Sequence, residues 1–147
     1  MEQFLLQLLY AFFGSLGFAL LFGVGKKNLF LSSLGGILVW GIYLFVFHLF
    51  SGGVLLSSLF AAAAGQLNAE ILARIRKSPT TVFFIPAIIP LIPGGSLYRC
   101  MDAAVGKDWA LFRRFGSETF LTALGIAIGI SFVSGLLIVF RKAKLAH

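Results

Sequence analysis

The residues best placed to do chemistry in this chain are those that interrupt its apolar texture. In FFIPAIIPLIPGG, residues 83–95, Pro86, Pro90 and Pro93 recur at spacings of four and three, with Gly94, Gly95 and Ser96 directly after. On a helix the three prolines share one face. Each withholds an N–H from the carbonyl four residues earlier, which frees the carbonyls of Val82, Pro86 and Ile89. An interior proline costs a helix about 3 kcal/mol, and the residues before the prolines, Ile85, Ile89 and Ile92, are pushed out of helical geometry. Gly94 and Gly95 permit a turn, and Ser96 can cap a new helix from Leu97. The expected product is a discontinuous helix that offers carbonyls to a cation and amides to an anion. Such backbone is tolerated at membrane depth only where it is buried in protein or lines a hydrated cavity. The alternative is a kinked, well-packed helix, although three prolines followed by Gly-Gly exceed what a kink requires.

A second polar cluster, Gln66, Asn68 and Glu70, closes the third apolar run. Glu70 stands four residues before Arg74, the favourable order for a helical ion pair. Gln66 and Asn68, a turn deeper, are the candidates for a polar path. His48 lies in a Phe-rich run near Trp40 and Tyr43 without a neighbouring carboxylate, which suits an interfacial side chain better than a proton relay. Covalent chemistry has no visible residues: HExxH, GxSxG and Walker A patterns and paired aspartates within spans are all missing. GVG at 23–25 is a helix stop rather than part of a nucleotide fingerprint, so no cofactor is expected. The single Cys100 excludes an intrachain disulfide and a cysteine metal cluster. The sequence therefore offers no catalytic set and no metal site.

The elements that must position these residues are membrane helices. Of the 147 residues 59% are hydrophobic and 12% charged, with a mean hydropathy of +1.00, against about 25% charged in a soluble domain. The expected fold is all-α: one polytopic transmembrane domain over 1–147. Its spans are 4–24, 30–50, 54–72, 80–97 and 120–140, each close to the ~20 residues a crossing needs. The fourth holds the prolines, and an interfacial helix is expected over 102–115, where Val105, Trp109 and Phe112 fall at helical spacing. The run 4–24 lacks a basic n-region and a cleavage site, so it stays as the first span.

The net charge of +7 comes from short basic clusters between spans, which read as topology signals and not as a nucleic-acid surface. With five spans, eight Lys/Arg (26, 27, 74, 76, 77, 141, 142, 144) fall on one side and four (99, 107, 113, 114) on the other. The positive-inside rule then places the N-terminus outside and the C-terminus in the cytoplasm. A re-entrant fourth segment would leave four spans and is no worse by charge; 18 residues at 1.5 Å each cover about 27 Å and favour crossing. Gly125 and Gly129, continued by Ser131 and Gly135, and Ala61 with Gly65, form small-residue faces that let helices approach closely. They serve either packing within the chain or an interface with another subunit, including a higher-order oligomer; lipid covers what remains.

ARIRKSPTTVFFIPAIIPLIPGGSLYRCM, about thirty residues, resembles the signature of the threonine/serine exporter family, specifically the small subunit of its two-gene form. Ala73 and Arg74, Lys77 with Pro79, residues 89–95, Tyr98 and Met101 carry the likeness, while Arg99 and Cys100 stand where two uncharged residues belong. The resemblance implies a bacterial cytoplasmic-membrane subunit that, with a larger integral membrane subunit of the same family, exports threonine, serine or dicarboxylates such as succinate. It adds Tyr98 and Arg99 to Pro86, Pro90, Pro93, Gly94, Gly95 and Ser96 as candidates for substrate binding or gating. Arg99 could add charge to a carboxylate site or reach for the outer interface. A five-span half that starts outside can complete an inverted pair with one that starts inside. A non-transporting assembly or scaffold protein is the rival reading, with the polar residues serving packing alone.

Overall fold

In the computed structural model, which describes residues 2–51 and 53–145, the chain is helical throughout. The elements are α1 (Glu2–Leu21), α2 (Lys26–Leu49), α3 (Val54–Arg76), α4 (Thr80–Ile88), a 3-10 turn (Ile89–Leu91), α5 (Gly94–Val105) and α6 (Trp109–Leu145). Their stops are local. Gly23 takes φ +67°, and Val24 N–H closes back on the Ala19 carbonyl at 3.0 Å, so GVG ends α1 with a left-handed residue. Lys77 ends α3 in the same conformation, φ 50°, with Ser78 N–H on the Ala73 carbonyl at 3.1 Å.

Small residues set the distances between helices. A Cβ on Gly125 would lie 2.6 Å from the Leu55 carbonyl oxygen, and one on Gly129 would collide with the Leu59 carbonyl oxygen. The GxxxG face of α6 is therefore spent inside the chain, against α3. Gly65 presses on Val39 of α2, where a Cβ would come within 2.7 Å of Cγ2, and Gly35 presses likewise on Ala87 of α4 at 2.8 Å. Ser131 is exposed and Gly135 has no neighbour within 4 Å, so the continuation of the stripe is unused. The centre is a cluster of Val39, Ala61, Ala62, Ala87, Ile88 and Leu91. Small side chains predominate in it because in lipid close packing, and not exclusion of water, holds helices together.

The same contacts decide the path of the fourth segment. Gly125 lies level with Leu55, Gly129 with Leu59, and Ser134 with Gln66, whose Nε2 donates to the Ser134 hydroxyl at 3.3 Å. α6 therefore runs parallel to α3, and between them the chain must return to the end where α3 began. α4, the 3-10 turn and α5 make that return, with a bend of 46°. Four helices are long and apolar enough to cross a membrane, and the bent pair taken as one broken span makes a fifth. α1 runs antiparallel to α2, with Ser15 against Gly36 and Leu8 against Gly41, so Glu2 and Leu145, the first and last described residues, lie at opposite ends of the bundle.

One expected element is absent as such. Residues 102–115 do not form a separate interfacial helix: 102–105 complete α5, and 109–115 open the 37-residue α6. The cause is local. Lys107 adopts φ 56° and stops α5, while Asp108 Oδ1 accepts from the amides of Ala110 and Leu111 at 3.1 Å each, a side-chain N-cap. At about 55 Å, α6 is longer than a 30 Å hydrocarbon core requires, and its first turns form a hairpin with α5, Cys100 Sγ donating to the Phe112 carbonyl at 3.6 Å.

Candidate functional site

The break is narrower than the prolines suggested. α4 continues through Pro86 to Ile88, because the carbonyl that Pro86 leaves without a partner, that of Val82, accepts from Ser32 Oγ of α2 at 2.8 Å. Ser32 is fully buried, and it repairs the helix from the side. The Ile89 carbonyl is also occupied, by Ile92 N–H at 3.2 Å. Two of the three freed carbonyls are thus consumed within the fold. The chain turns at Ile92 (φ −62°, ψ 125°) and Pro93 (φ −77°, ψ 50°). Gly94 and Gly95 do not make that turn; they are already helical, and a Cβ on either would meet nothing within 4 Å. What they leave is open space over the first amides of α5, of which those of Gly95 and Ser96 have no acceptor within the helix.

Ser96 does not cap α5, which begins at Gly94 on Pro93. Its hydroxyl instead donates to Glu118 Oε1 of α6 at 3.1 Å. This bond closes one wall of a cavity of about 260 Å³ lined by Trp40 and Tyr43 of α2, residues 90–93, Gly95, Ser96, Glu118 and Thr122. Trp40 and Tyr43 stack with ring centroids 5.1 Å apart, and Thr122 is buried with its hydroxyl donating to the Glu118 carbonyl at 2.8 Å. The cavity thus combines a carboxylate, a serine hydroxyl, two aromatic rings and the amide end of a helix. Trp40 and Pro90 also border an apolar cavity of about 290 Å³ against α1, with Gln7, Tyr10, Ala11, Gly14 and Ile89.

Of the residues singled out in the sequence, Pro90, Pro93, Gly95 and Ser96 come together here. Pro86 does not; it lines a different cavity of about 290 Å³ between the α1–α2 connection and the start of α4, with Asn28 and Ser78. Asn28 Nδ2 donates to Ser78 Oγ there at 3.1 Å. The prolines do not share a face because the helix does not persist from the first to the last. Tyr98 is 72% exposed, and the Arg99 guanidinium lies 5.6 Å from the Phe115 ring centroid on α6, so neither lines the cavity. The polar path also fails to assemble. Gln66 is spent on Ser134, Asn68 faces Gly35 of α2, and Glu70 accepts from Thr80 Oγ1 at 3.1 Å beyond them. Residues 66 and 68 lie about 200° apart around a helix and cannot serve one channel. His48 is exposed, edge-on to Phe47 at 6.3 Å.

Trp40, Tyr43, Glu118 and Thr122 were not singled out for this site by the sequence. The signal was present for two of them: Glu118 and Thr122 stand at helical spacing from Gly125 and Gly129, on the α6 face that turns inward.

A bundle of membrane-length apolar helices around an interrupted one, with a polar cavity at the interruption, is the build of a multi-pass membrane transporter. A family model described as Threonine/Serine exporter, ThrE, matches residues 7–136. The chain belongs to the threonine/serine exporter family. No curated protein and no solved structure matches it.

Proposed function

We propose that this chain is the small subunit of a two-component secondary exporter of small polar metabolites, threonine- and serine-like amino acids or dicarboxylates such as succinate. The observation that carries the reading is the cavity at the break. Its volume of about 260 Å³ lies below the roughly 300–1,000 Å³ of pockets for drug-sized ligands and suits a substrate of few heavy atoms. Both substrate types bear a carboxylate, and the open amides over Gly95 and Ser96 are a recognition element for one. The substrate crosses unchanged, so the chain is not an enzyme.

The larger partner rests on the resemblance to the two-gene form. The GxxxG face no longer supports it, since Gly125 and Gly129 are engaged by α3. What remains available is outer surface: only 17% of the most apolar stretch of α1 and 11% of that of α6 is buried within the chain. Partner, lipid or a further copy can cover these faces. In a bacterial cytoplasmic membrane the end bearing Lys26, Lys27 and residues 74–77 faces the cytoplasm, with the C-terminus beside it and the N-terminus outside.

Efflux of labelled threonine, serine and succinate from cells making this chain alone, a neighbouring larger five-span protein alone, both or neither tests the proposal. Export that appears only with both is expected. Equal efflux in all four strains would remove the transport reading, and full efflux from this chain alone would remove the partner.

A further inference from the structure

Resting on that reading of the cavity, we infer that Glu118 is the specificity-determining residue, pairing with a substrate ammonium and so selecting amino acids over dicarboxylates. Glu118 is the one carboxyl side chain among the residues lining the cavity, and no Lys, Arg or His lines it. Its Oε1 takes the Ser96 hydroxyl at 3.1 Å, and among the described residues Oε2 takes no partner. Two guanidinium groups stand about one turn along their helices from Ser96 and Glu118, and both are turned to another task. Arg99 and Arg114 flank the Phe115 ring, 5.6 and 5.8 Å from its centroid, and neither borders the cavity.

The cavity therefore holds a single carboxyl group, that of Glu118, faced by the positive end of α5, worth about half an elementary charge. A dicarboxylate brings two negative charges into that field and leaves one of them opposed to Glu118. A zwitterion satisfies both ends at once, its carboxylate on the Gly95 and Ser96 amides and its ammonium on Glu118 Oε2. Trp40 and Tyr43 complete the ammonium end, because aromatic side chains lower the cost of taking a cation out of water. Ser96 holds the carboxylate in place and is a positioning residue.

The test separates this assignment from the reading it rests on. Equilibrium binding to the full chain in lipid nanodiscs is measured with threonine, with 2,3-dihydroxybutanoate, in which a hydroxyl replaces the ammonium, and with succinate. A hydrogen bond to a charged group contributes about 1.5–3 kcal/mol, so wild-type protein should favour threonine over the dihydroxy acid roughly ten- to hundredfold. In Glu118→Gln the two should bind alike, and succinate should gain relative to threonine. General damage would weaken all three ligands in parallel and leave the preference for threonine intact, which would overturn the assignment. Equal binding of threonine and the dihydroxy acid by wild type, or tighter binding of succinate, would overturn it while leaving a carboxylate site. Failure of all three to bind wild-type protein would overturn the cavity reading with it. The wild-type ligand series decides even if Glu118→Gln does not fold.

Discussion

Ser32→Ala should be harmful only while residue 86 is proline. The Ser32 hydroxyl is fully buried and donates at 2.8 Å to the Val82 carbonyl, which Pro86 cannot serve. Removing it leaves a buried acceptor unpaired, at a cost of about 1–3 kcal/mol in protein interiors. Interhelical polar bonds in membranes average nearer 0.6 kcal/mol, with a maximum of about 1.7, so about 1–1.5 kcal/mol is expected, roughly a tenfold change in the folding equilibrium. Pro86→Ala restores an N–H that reaches Val82 by ordinary helical geometry. In that background Ser32→Ala should cost less than about 0.5 kcal/mol, leaving a coupling of about 1 kcal/mol between positions 50 or more residues apart. Pro86 is itself buried, and the void left by Ala at that position cancels in the cycle. Reversible unfolding in mixed detergent micelles, followed by helicity, gives all four free energies. Equal costs of Ser32→Ala in the two backgrounds would refute the repair.

Gly129→Val should separate α3 from α6, since even a Cβ collides with the Leu59 carbonyl; overpacking of about 1–3 kcal/mol or more should lower the folded yield, while Gly135→Val, in open space, should change stability by less than about 0.5 kcal/mol. Equal effects in a thermal-stability assay would contradict the parallel packing of these helices. Reporter fusions should place the C-terminus in the cytoplasm and the N-terminus outside; both on one side would contradict an odd number of crossings. Pro90→Ala with Pro93→Ala should abolish export without loss of membrane abundance, because two returned donors favour a continuous helix across the cavity wall. Normal export by this double variant would reduce the motif to a structural kink.

The crossings were legible because each depends on a run of apolar residues and a local stop. Gly23 and Lys77 end helices through the chain's own hydrogen bonds, and a basic cluster adjoins each stop. The break was legible in position but not in extent. From the sequence, Pro86 frees the Val82 carbonyl as surely as Pro93 frees that of Ile89; the difference is Ser32, 50 residues away on another helix. The hairpin of α5 and α6 was misplaced for a nearer reason. Trp109, Phe112 and Val105 share a periodicity, but Asp108 caps a helix start between them, and a cap outweighs a spacing.

Glu118 shows how the remaining part of the site is read from a sequence of this kind, provided one face is followed along its whole length. At 100° per residue, Thr122, Gly125 and Gly129 fall at about 40°, 340° and 20° from Glu118. The glycines show which face of α6 must turn inward, since only an inward face needs room for a backbone carbonyl. An acid on that face cannot point into lipid without a large penalty, so it must meet a partner or a cavity inside the protein. Arg113 falls off the face at about 220° and is exposed, while Arg114, at about 320°, shares the face but is exposed beside the Phe115 ring. Small residues that fix a helix's rotation thus narrow which of its charged residues can reach the site, and depth along the helix then separates Glu118, which lines the cavity, from Arg114, which does not.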